Sequence, residues 1–277
     1  MKEILKVVAV GILILFLVAL SSLALSGRIK PDVKAALTTS KDKPAYCVPA
    51  QKGGLQEFLN TPASPYFIRH PSSDGPNVLT IIWLGGGSGT RNGVSRSWDR
   101  YLSPDSRVNS FRVVLPYASR SEDSFLDNAP RTYQILDEVL ACYGGNPKKV
   151  HIAGNSNGGI AAFSLMVARP ELFATLLGAP GSFWVSFAAS TQYPLTAEQL
   201  KSFAGHAFFN GVGENDENWK DEAKEADKQL RAAGLDSVYV EFPGQGHGAN
   251  EDFDNSVLFD FWAKHSSKTP NRLSEGL

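Results

Sequence analysis

One serine lies in a turn whose neighbours could make it a nucleophile. Ser156 is at the centre of the segment 154–159, GNSNGG, after an apolar run ending at Ala153 and before an alanine-rich stretch starting at Ile160. A strand, a tight turn and a helix in this order present a serine at the carboxyl edge of a sheet, and the flanking glycines avoid collisions that a Cβ would cause. The pattern predicts an activated Ser156, with the backbone N–H of Asn157 at the helix start stabilising a developing oxyanion.

A serine hydroxyl is a poor nucleophile at neutral pH, so it needs a general base. The chain has five histidines, which are His70, His151, His206, His247 and His265. His247 is the candidate, because its loop 243–248 follows a predicted strand at the same sheet edge as Ser156. The other four precede the serine, lie within or at the far end of a strand, or belong to the terminal helix.

The acid that orients the base is expected in the loop after the predicted strand Ala207–Val212. This loop offers three carboxylates, on Glu214, Asp216 and Glu217. We prefer Asp216, since its short side chain suits holding one imidazole tautomer and it stands three places after a glycine. Glu214 remains the alternative, because it stands three places after another glycine, Gly211. Glu217 is expected to be a charge at a helix start.

A second glycine-rich turn, 85–89, follows the first predicted strand and could complete an oxyanion hole. The backbone N–H of Gly86 or Gly87 would be the second donor, since glycines let the backbone approach a reacting carbonyl. A phosphate-binding loop is excluded because no Lys-Ser/Thr pair follows the glycines. Neither Cys-x-x-Cys nor paired-histidine spacing indicates a metal site, and the expected chemistry needs no cofactor.

Short apolar runs alternate with amphipathic runs from Leu55 onward, as in parallel strands joined by helices. Helices are predicted over Tyr133–Cys142 and Trp219–Ala232, where apolar residues recur at helical spacing. The pattern predicts one α/β domain over residues 55–266, followed by a flexible tail, 267–277. Strands are predicted at Val78–Leu84, Arg112–Leu115, Lys149–Ala153, Ala207–Val212 and Ser237–Phe242.

With its glycine loop, Ser156, Asp216 and His247 in that chain order, the domain resembles the α/β-hydrolase superfamily. The resemblance implies the α/β-hydrolase fold: a mostly parallel central sheet with helices on both faces. No large lid domain is expected, because the segment 179–205 is too short for one. It also implies ester hydrolysis through an acyl-enzyme. The GNSNGG turn and the later segment Arg169–Phe173 look like the exported esterases grouped with polyhydroxybutyrate depolymerases, feruloyl esterases and dienelactone-hydrolase-like proteins.

Other functions could use the same residues. A serine peptidase or acyltransferase could share the constellation, and a catalytically silent member of the fold could act as a binding protein. A peptidase would usually carry a substrate-gating domain, for which the segment 179–205 is too short. The aromatic side chains of this segment could line a shallow acyl pocket or simply cover the sheet; they are Phe183, Trp184, Phe187 and Tyr193.

The first residues have the composition of a targeting segment. Lys2 and Lys6 precede the uncharged run Val7–Leu25, as in a secretory signal peptide over residues 1–26 that is cut before Gly27. The run is also long enough for a retained signal anchor. Either interpretation places the domain outside the cytoplasm, secreted, periplasmic or membrane-anchored, with the membrane reached only through that anchor.

Residues 27–54 read as a polar linker or arm that contains one of two cysteines. Cys47 and Cys142 could form a disulfide in an exported chain, or remain two buried thiols. With 27 basic and 28 acidic residues, the chain has no charge excess that would favour nucleic acid. The expected partner is a small-molecule or polymer-derived ester.

Overall fold

The computed structural model describes residues 43–73, 75–118, 131–183 and 195–266. In these residues eight strands form one sheet in the spatial order β1-β2-β4-β3-β5-β6-β7-β8. The pairs β1/β2 and β2/β4 are antiparallel, whereas every pair from β4 to β8 is parallel. The strands are β1 Gln56–Phe58, β2 Tyr66–Arg69, β3 Leu79–Leu84, β4 Phe111–Pro116, β5 Val150–Gly154, β6 Thr175–Gly178, β7 Ala207–Gly213 and β8 Asp236–Phe242.

Helices connect the parallel strands. Within the described ranges the α-helices are α1 Arg91–Ser97, α2 Arg131–Tyr143, α3 Asn157–Ala168, α4 Ala197–Ser202, α5 Lys220–Ala232 and α6 Ser256–His265. A five-residue π-helix, Trp98–Leu102, continues directly from α1. A 3₁₀ turn, Pro170–Leu172, leads from α3 into β6.

The sheet has a hydrophobic core on each face, because successive side chains of a strand point to opposite sides. Ile82 and Leu84 pack in the cluster that contains residues of α2, α3 and α5. Ile81 and Trp83 pack in the cluster that contains residues of α1 and α6. Helices therefore cover both faces, and the predicted mostly parallel α/β sheet is confirmed.

The five strands predicted from the sequence are all present, each within one residue of its expected bounds. Three further strands, β1, β2 and β6, were not predicted. β1 and β6 have three and four residues, too few to show a period in the sequence. β2 pairs antiparallel at the side of the sheet, so it lies outside the repeating strand–helix pattern.

Cys47 and Cys142 are joined in a disulfide, with an S–S distance of 2.04 Å. The bond ties the segment before β1 to α2, where the Tyr143 hydroxyl also donates to the Val48 carbonyl at 2.7 Å. The disulfide interpretation is therefore confirmed over two free thiols. The predicted signal or anchor segment and the C-terminal tail lie outside the described residues. Among the helices that are described, none combines the length and apolar character needed to cross a membrane.

Candidate active site

Ser156 stands between the end of β5 and the start of α3, in a backbone conformation that non-glycine residues rarely adopt. Its φ is 56° and its ψ is −128°, and such a conformation persists only where the surroundings enforce it. The Ser156 N–H donates to the Pro180 carbonyl at 2.8 Å, and its own carbonyl accepts from the Ile160 N–H at 3.0 Å. The turn thus presents the hydroxyl at the carboxyl edge of the sheet.

The glycines around Ser156 are required by close backbone packing. A Cβ on Gly154 would collide with the Gly158 carbonyl, and one on Gly158 would collide with the Leu84 carbonyl at the end of β3. A Cβ on Gly159 would meet the Pro180 carbonyl. Because backbone atoms cannot move aside cheaply, the turn admits glycine alone at these positions.

Ser156, His247 and Asp216 form a continuous line of hydrogen bonds. The Ser156 Oγ lies 2.9 Å from the His247 Nε2, and the His247 Nδ1 lies 2.7 Å from the Asp216 Oδ2. Since a carboxylate only accepts, Nδ1–H donates to Asp216 and Nε2 accepts from the serine hydroxyl. The Asp216 side chain is 1% exposed and the His247 side chain 44% exposed, so the carboxylate is shielded while the imidazole reaches the surface.

Two aromatic side chains hold the His247 imidazole and its loop in place. The Trp219 ring stacks on the His247 ring with centroids 5.4 Å apart and an interplanar angle of 27°. Two residues beyond His247, the Ala249 N–H donates to the buried Tyr101 hydroxyl at 3.0 Å. Both contacts limit rotation of the histidine loop, and neither aromatic residue was singled out by the sequence analysis.

Asp216 reaches His247 because of the tight turn after β7. The Asp216 N–H donates to the Gly213 carbonyl at 3.0 Å, and the Asp216 carbonyl accepts from the Lys220 N–H at 3.1 Å at the start of α5. The alternative acid, Glu214, points elsewhere: its Oε2 accepts from the Gly244 N–H at 3.0 Å. The structure therefore brings Asp216, and not Glu214, to the imidazole. Glu217 is exposed, three residues before α5 begins.

The other four histidines contact other partners. The His151 Nδ1 lies 2.8 Å from the Thr175 Oγ1 on the neighbouring strand, and the His206 Nε2 donates to the Pro170 carbonyl at 3.0 Å. His70 packs on the Tyr143 ring, with centroids 4.4 Å apart. His265 is buried near the end of α6. All four are 6% exposed or less, as expected of packed rather than substrate-facing groups.

The glycine loop after β3 lies beside the serine. A Cβ built on Gly86 would be 3.1 Å from the Ser156 Cβ, and the Asn157 Nδ2 donates to the Gly87 carbonyl at 2.9 Å. Within the described ranges, we find no hydrogen-bond acceptor for the backbone N–H groups of Gly86, Gly87 and Asn157. These three are the donors that the sequence analysis expected beside Ser156.

Asn155, the residue before the serine, contacts both the sheet and α1. Its Oδ1 accepts from the Trp83 Nε1 at 3.2 Å and from the Ser97 Oγ at 3.0 Å. Trp83 in turn packs on the Tyr101 ring, with centroids 5.1 Å apart. The serine turn and the histidine loop are therefore connected through two buried aromatic rings. The sequence carries no signal for this connection, because its members are far apart along the chain.

The aromatic side chains that could line an acyl pocket are only partly described by the structure. Phe183 is 1% exposed and packs against Phe163, with ring centroids 4.6 Å apart, so it belongs to the core. Trp184, Phe187 and Tyr193 lie outside the described residues.

In the parts of the chain that are described, no group of three or more His, Cys, Asp or Glu side chains could hold a metal ion.

Comparison with solved structures shows the α/β-hydrolase fold. EstE1, a thermophilic and thermostable carboxylesterase cloned from a metagenomic library, matches over 80% of this chain and 92% of its own, with 15% identity and a TM-score of 0.57. An esterase from the Planctomycetes species Thermogutta terrifontis matches over 79% and 94%, with 15% identity and a TM-score of 0.56. The same esterase phosphorylated by paraoxon matches over 76% and 90%, with 14% identity and a TM-score of 0.54. No family model and no curated protein sequence matches the chain.

Proposed function

We propose that the chain is a carboxylic ester hydrolase in which Ser156 is the nucleophile, His247 the general base and Asp216 the residue that orients it. The observation that carries the proposal is the line of hydrogen bonds from Ser156 through His247 to Asp216, at 2.9 and 2.7 Å. The fold alone would not suffice, since one fold hosts many functions. The names of the similar structures, carboxylesterase and esterase, point the same way.

The proposed reaction has two halves. His247 Nε2 takes the Ser156 proton while Oγ attacks the ester carbonyl, and the N–H groups of Asn157 and of Gly86 or Gly87 stabilise the oxyanion. His247 then gives the proton to the departing alcohol, which leaves an acyl-enzyme on Ser156. Water, activated by the same imidazole, attacks the acyl group, and the carboxylic acid is released as the hydroxyl is restored.

The proposed substrate class is supported by the exposure of the site and by the names of the similar structures. The imidazole edge is exposed, which suits a small ester or an ester group of a polymer fragment. A peptidase or acyltransferase would use the same three side chains but a different leaving group or acceptor. We therefore propose ester hydrolysis as the primary activity, to be ranked against amide hydrolysis and acyl transfer by direct comparison.

The experiment compares the full chain with Ser156→Ala on p-nitrophenyl acetate, a peptide p-nitroanilide, and an ester offered together with a competing alcohol. We expect hydrolysis of the aryl ester with no comparable turnover of the anilide, and loss of at least about a thousandfold in Ser156→Ala. Faster anilide cleavage would favour a peptidase, and dominant transfer to the alcohol an acyltransferase. If the wild-type chain turned over none of the three, the silent binding protein would be favoured.

We also propose that the domain works outside the cytoplasm. The Cys47–Cys142 disulfide supports this location, because such bonds persist mainly in oxidising compartments. N-terminal sequencing of protein from cell fractions tests it: a chain that begins at Gly27 would indicate a cleaved signal, and an intact start in the membrane fraction an anchor. Recovery in the cytoplasm with both thiols free would contradict the proposal.

A further inference from the structure

The side chain of Asn157 makes a contact that the proposed chemistry does not itself require. Asn157 is the first residue of α3, and only its backbone N–H takes part in the proposed oxyanion hole. Its carboxamide Nδ2 donates to the Gly87 carbonyl at 2.9 Å, across 70 residues of sequence. The contact joins the residue after the nucleophile to the loop that carries the second proposed donor.

The tip of the glycine loop, Gly87 and Ser88, is exposed, whereas the base of the loop is closely packed. A Cβ on Gly85 would press on the Val94 side chain, and one on Gly86 would press on the Asn155 carboxamide, so the backbone at these two residues is closely packed. At Gly87, by contrast, φ is +66° and a Cβ would meet nothing within 4 Å. The Gly89 N–H donates to the Gly86 carbonyl at 3.3 Å, and the Gly89 carbonyl accepts from the Ala118 N–H at 2.8 Å, so the end of the loop is held beyond its tip.

A loop of this composition has high conformational freedom, since glycine samples more backbone states than any other residue. An oxyanion hole depends on donors that are already in place when charge develops, and a donor that must first be ordered contributes less. A contact that holds the Gly87 carbonyl limits rotation of the backbone that carries the donor N–H. It therefore acts on the transition state more than on the bound ester. Asn157 is placed to supply it from a rigid helix start.

We propose that Asn157 is a positioning residue: its carboxamide holds the Gly87 carbonyl and so limits rotation of the Gly87 backbone, which lets the N–H of Gly86 or Gly87 and the Asn157 N–H form one preset oxyanion hole. This inference rests on the proposed ester hydrolysis. Asn155 has a different part. Its Oδ1 accepts from Trp83 and Ser97 inside the fold, so it secures the base of the loop and contributes to stability.

The test uses Asn157→Ala and Asn157→Asp in the full chain. Asn92→Ala is the matched control, since Asn92 is exposed in the neighbouring helix α1. The readouts are kcat and KM for p-nitrophenyl acetate, the affinity for an aryl trifluoromethyl ketone that mimics the tetrahedral intermediate, and the thermal midpoint of unfolding. The ketone separates transition-state binding from ground-state binding.

We expect Asn157→Ala to lower kcat about tenfold to a hundredfold with KM within about twofold, and to weaken ketone binding by a similar factor. Asn157→Asp should lose more, because a carboxylate cannot donate to the Gly87 carbonyl and places negative charge beside the oxyanion. The unfolding midpoint of both variants should stay within about 2 °C of the wild type. Asn92→Ala should match the wild type in every readout.

The inference is overturned if Asn157→Ala keeps wild-type kcat and ketone affinity, or if its loss of activity is matched by a lowered midpoint or by a rise in KM alone. Either result leaves ester hydrolysis by the wild-type chain intact. If instead the wild type neither hydrolyses the ester nor binds the ketone, the proposed function fails and this inference fails with it.

Discussion

At the scale of single residues, the candidate site depends on the strained backbone conformation of Ser156 and on the short side chain of Asp216. Among the described residues, Ser156 is the only non-glycine with a positive φ, a conformation that costs about 1–3 kcal/mol. The hydrogen bond to Pro180 and the glycine contacts on both sides hold it there. The strain directs the hydroxyl at His247 instead of letting it cap the helix.

The first prediction separates the two candidate acids. Asp216→Asn should lower kcat for an aryl ester by about a thousandfold or more, because the amide no longer favours the imidazole tautomer with its proton on Nδ1. Glu214→Gln should leave kcat within about twofold, since its amide oxygen can still accept from the Gly244 N–H. Steady-state kinetics of both variants decide the matter. Equal losses, or a larger loss in Glu214→Gln, would contradict the assignment.

The sequence singled out one serine and one histidine that the structure brings within hydrogen-bond distance, but it left two candidates, Asp216 and Glu214, for the acid. The spacing of glycines around Ser156 and the loop after β8 each follow from local patterns. Glu214 and Asp216 lie two places apart in one turn, and the direction of each side chain depends on how that turn closes. The Glu214 N–H pairs with the Phe242 carbonyl, a contact between β7 and β8 that no local pattern specifies.

At the scale of elements, the candidate site lies in the loops that follow the parallel strands at one edge of the sheet. A buried aromatic pair, Trp83 and Tyr101, supports these loops, and we call this pair the brace. Tyr101 lies in the π-helix Trp98–Leu102, packs on Trp83 of β3 and accepts from Ala249 in the histidine loop. Burial raises the pKa of the Tyr101 phenol to about 12, so the hydroxyl stays neutral. The sequence predicted the strands but not this brace, since Tyr101 and Ala249 are 148 residues apart.

The second prediction concerns this brace. Tyr101→Phe keeps the ring packing but leaves the buried Ala249 N–H without its acceptor, which should cost about 1–3 kcal/mol of unfolding free energy. We also expect kcat to fall several-fold, because the His247 loop loses an anchor two residues away. Urea unfolding and ester kinetics measure the two effects. Tyr46→Phe, at an exposed position, is the control, and a Tyr101→Phe protein as stable and active as this control would refute the role.

At the scale of the whole molecule, the disulfide and one buried histidine each affect stability in a way that can be measured. Cys47 and Cys142 are 95 residues apart in the chain, so their bond restricts a large part of the unfolded ensemble. His151 is fully buried in β5. Burial, with the nearby charges of His265 and Lys149, lowers its pKa to about 3. One feature constrains the unfolded chain, and the other makes the native state sensitive to acid.

The third prediction is that the double variant Cys47→Ser and Cys142→Ser loses up to about 4.7 kcal/mol of unfolding free energy, as loop-closure entropy gives for a loop of this size. The kcat for an aryl ester at 25 °C should stay within about twofold, since the bond joins α2 to the segment before β1 and touches none of the proposed active-site residues. Urea titration and kinetics of the variant test both statements. Unchanged stability would show that the bond contributes little.

The fourth prediction is a loss of stability in acid. The native state keeps His151 neutral down to a pKa of about 3, whereas the unfolded chain protonates it near its ordinary pKa of about 6.5. Stability from this group is therefore present above about pH 6.5 and is lost as the pH falls towards 3, by as much as about 5 kcal/mol. Urea unfolding between pH 7 and 4 should show this slope, and His151→Asn should flatten it. An equal slope in both proteins would contradict the prediction.

The most direct test of the central claim is to locate a covalent adduct. Paraoxon phosphorylates the similar esterase of Thermogutta terrifontis, and the same reagent can be applied to this chain and to Ser156→Ala. The account predicts one diethylphosphoryl group per chain, located on Ser156 by peptide mass spectrometry. Ester hydrolysis should be lost at the same rate as this group is attached. An adduct on another residue, or an equal yield of adduct in Ser156→Ala, would contradict it.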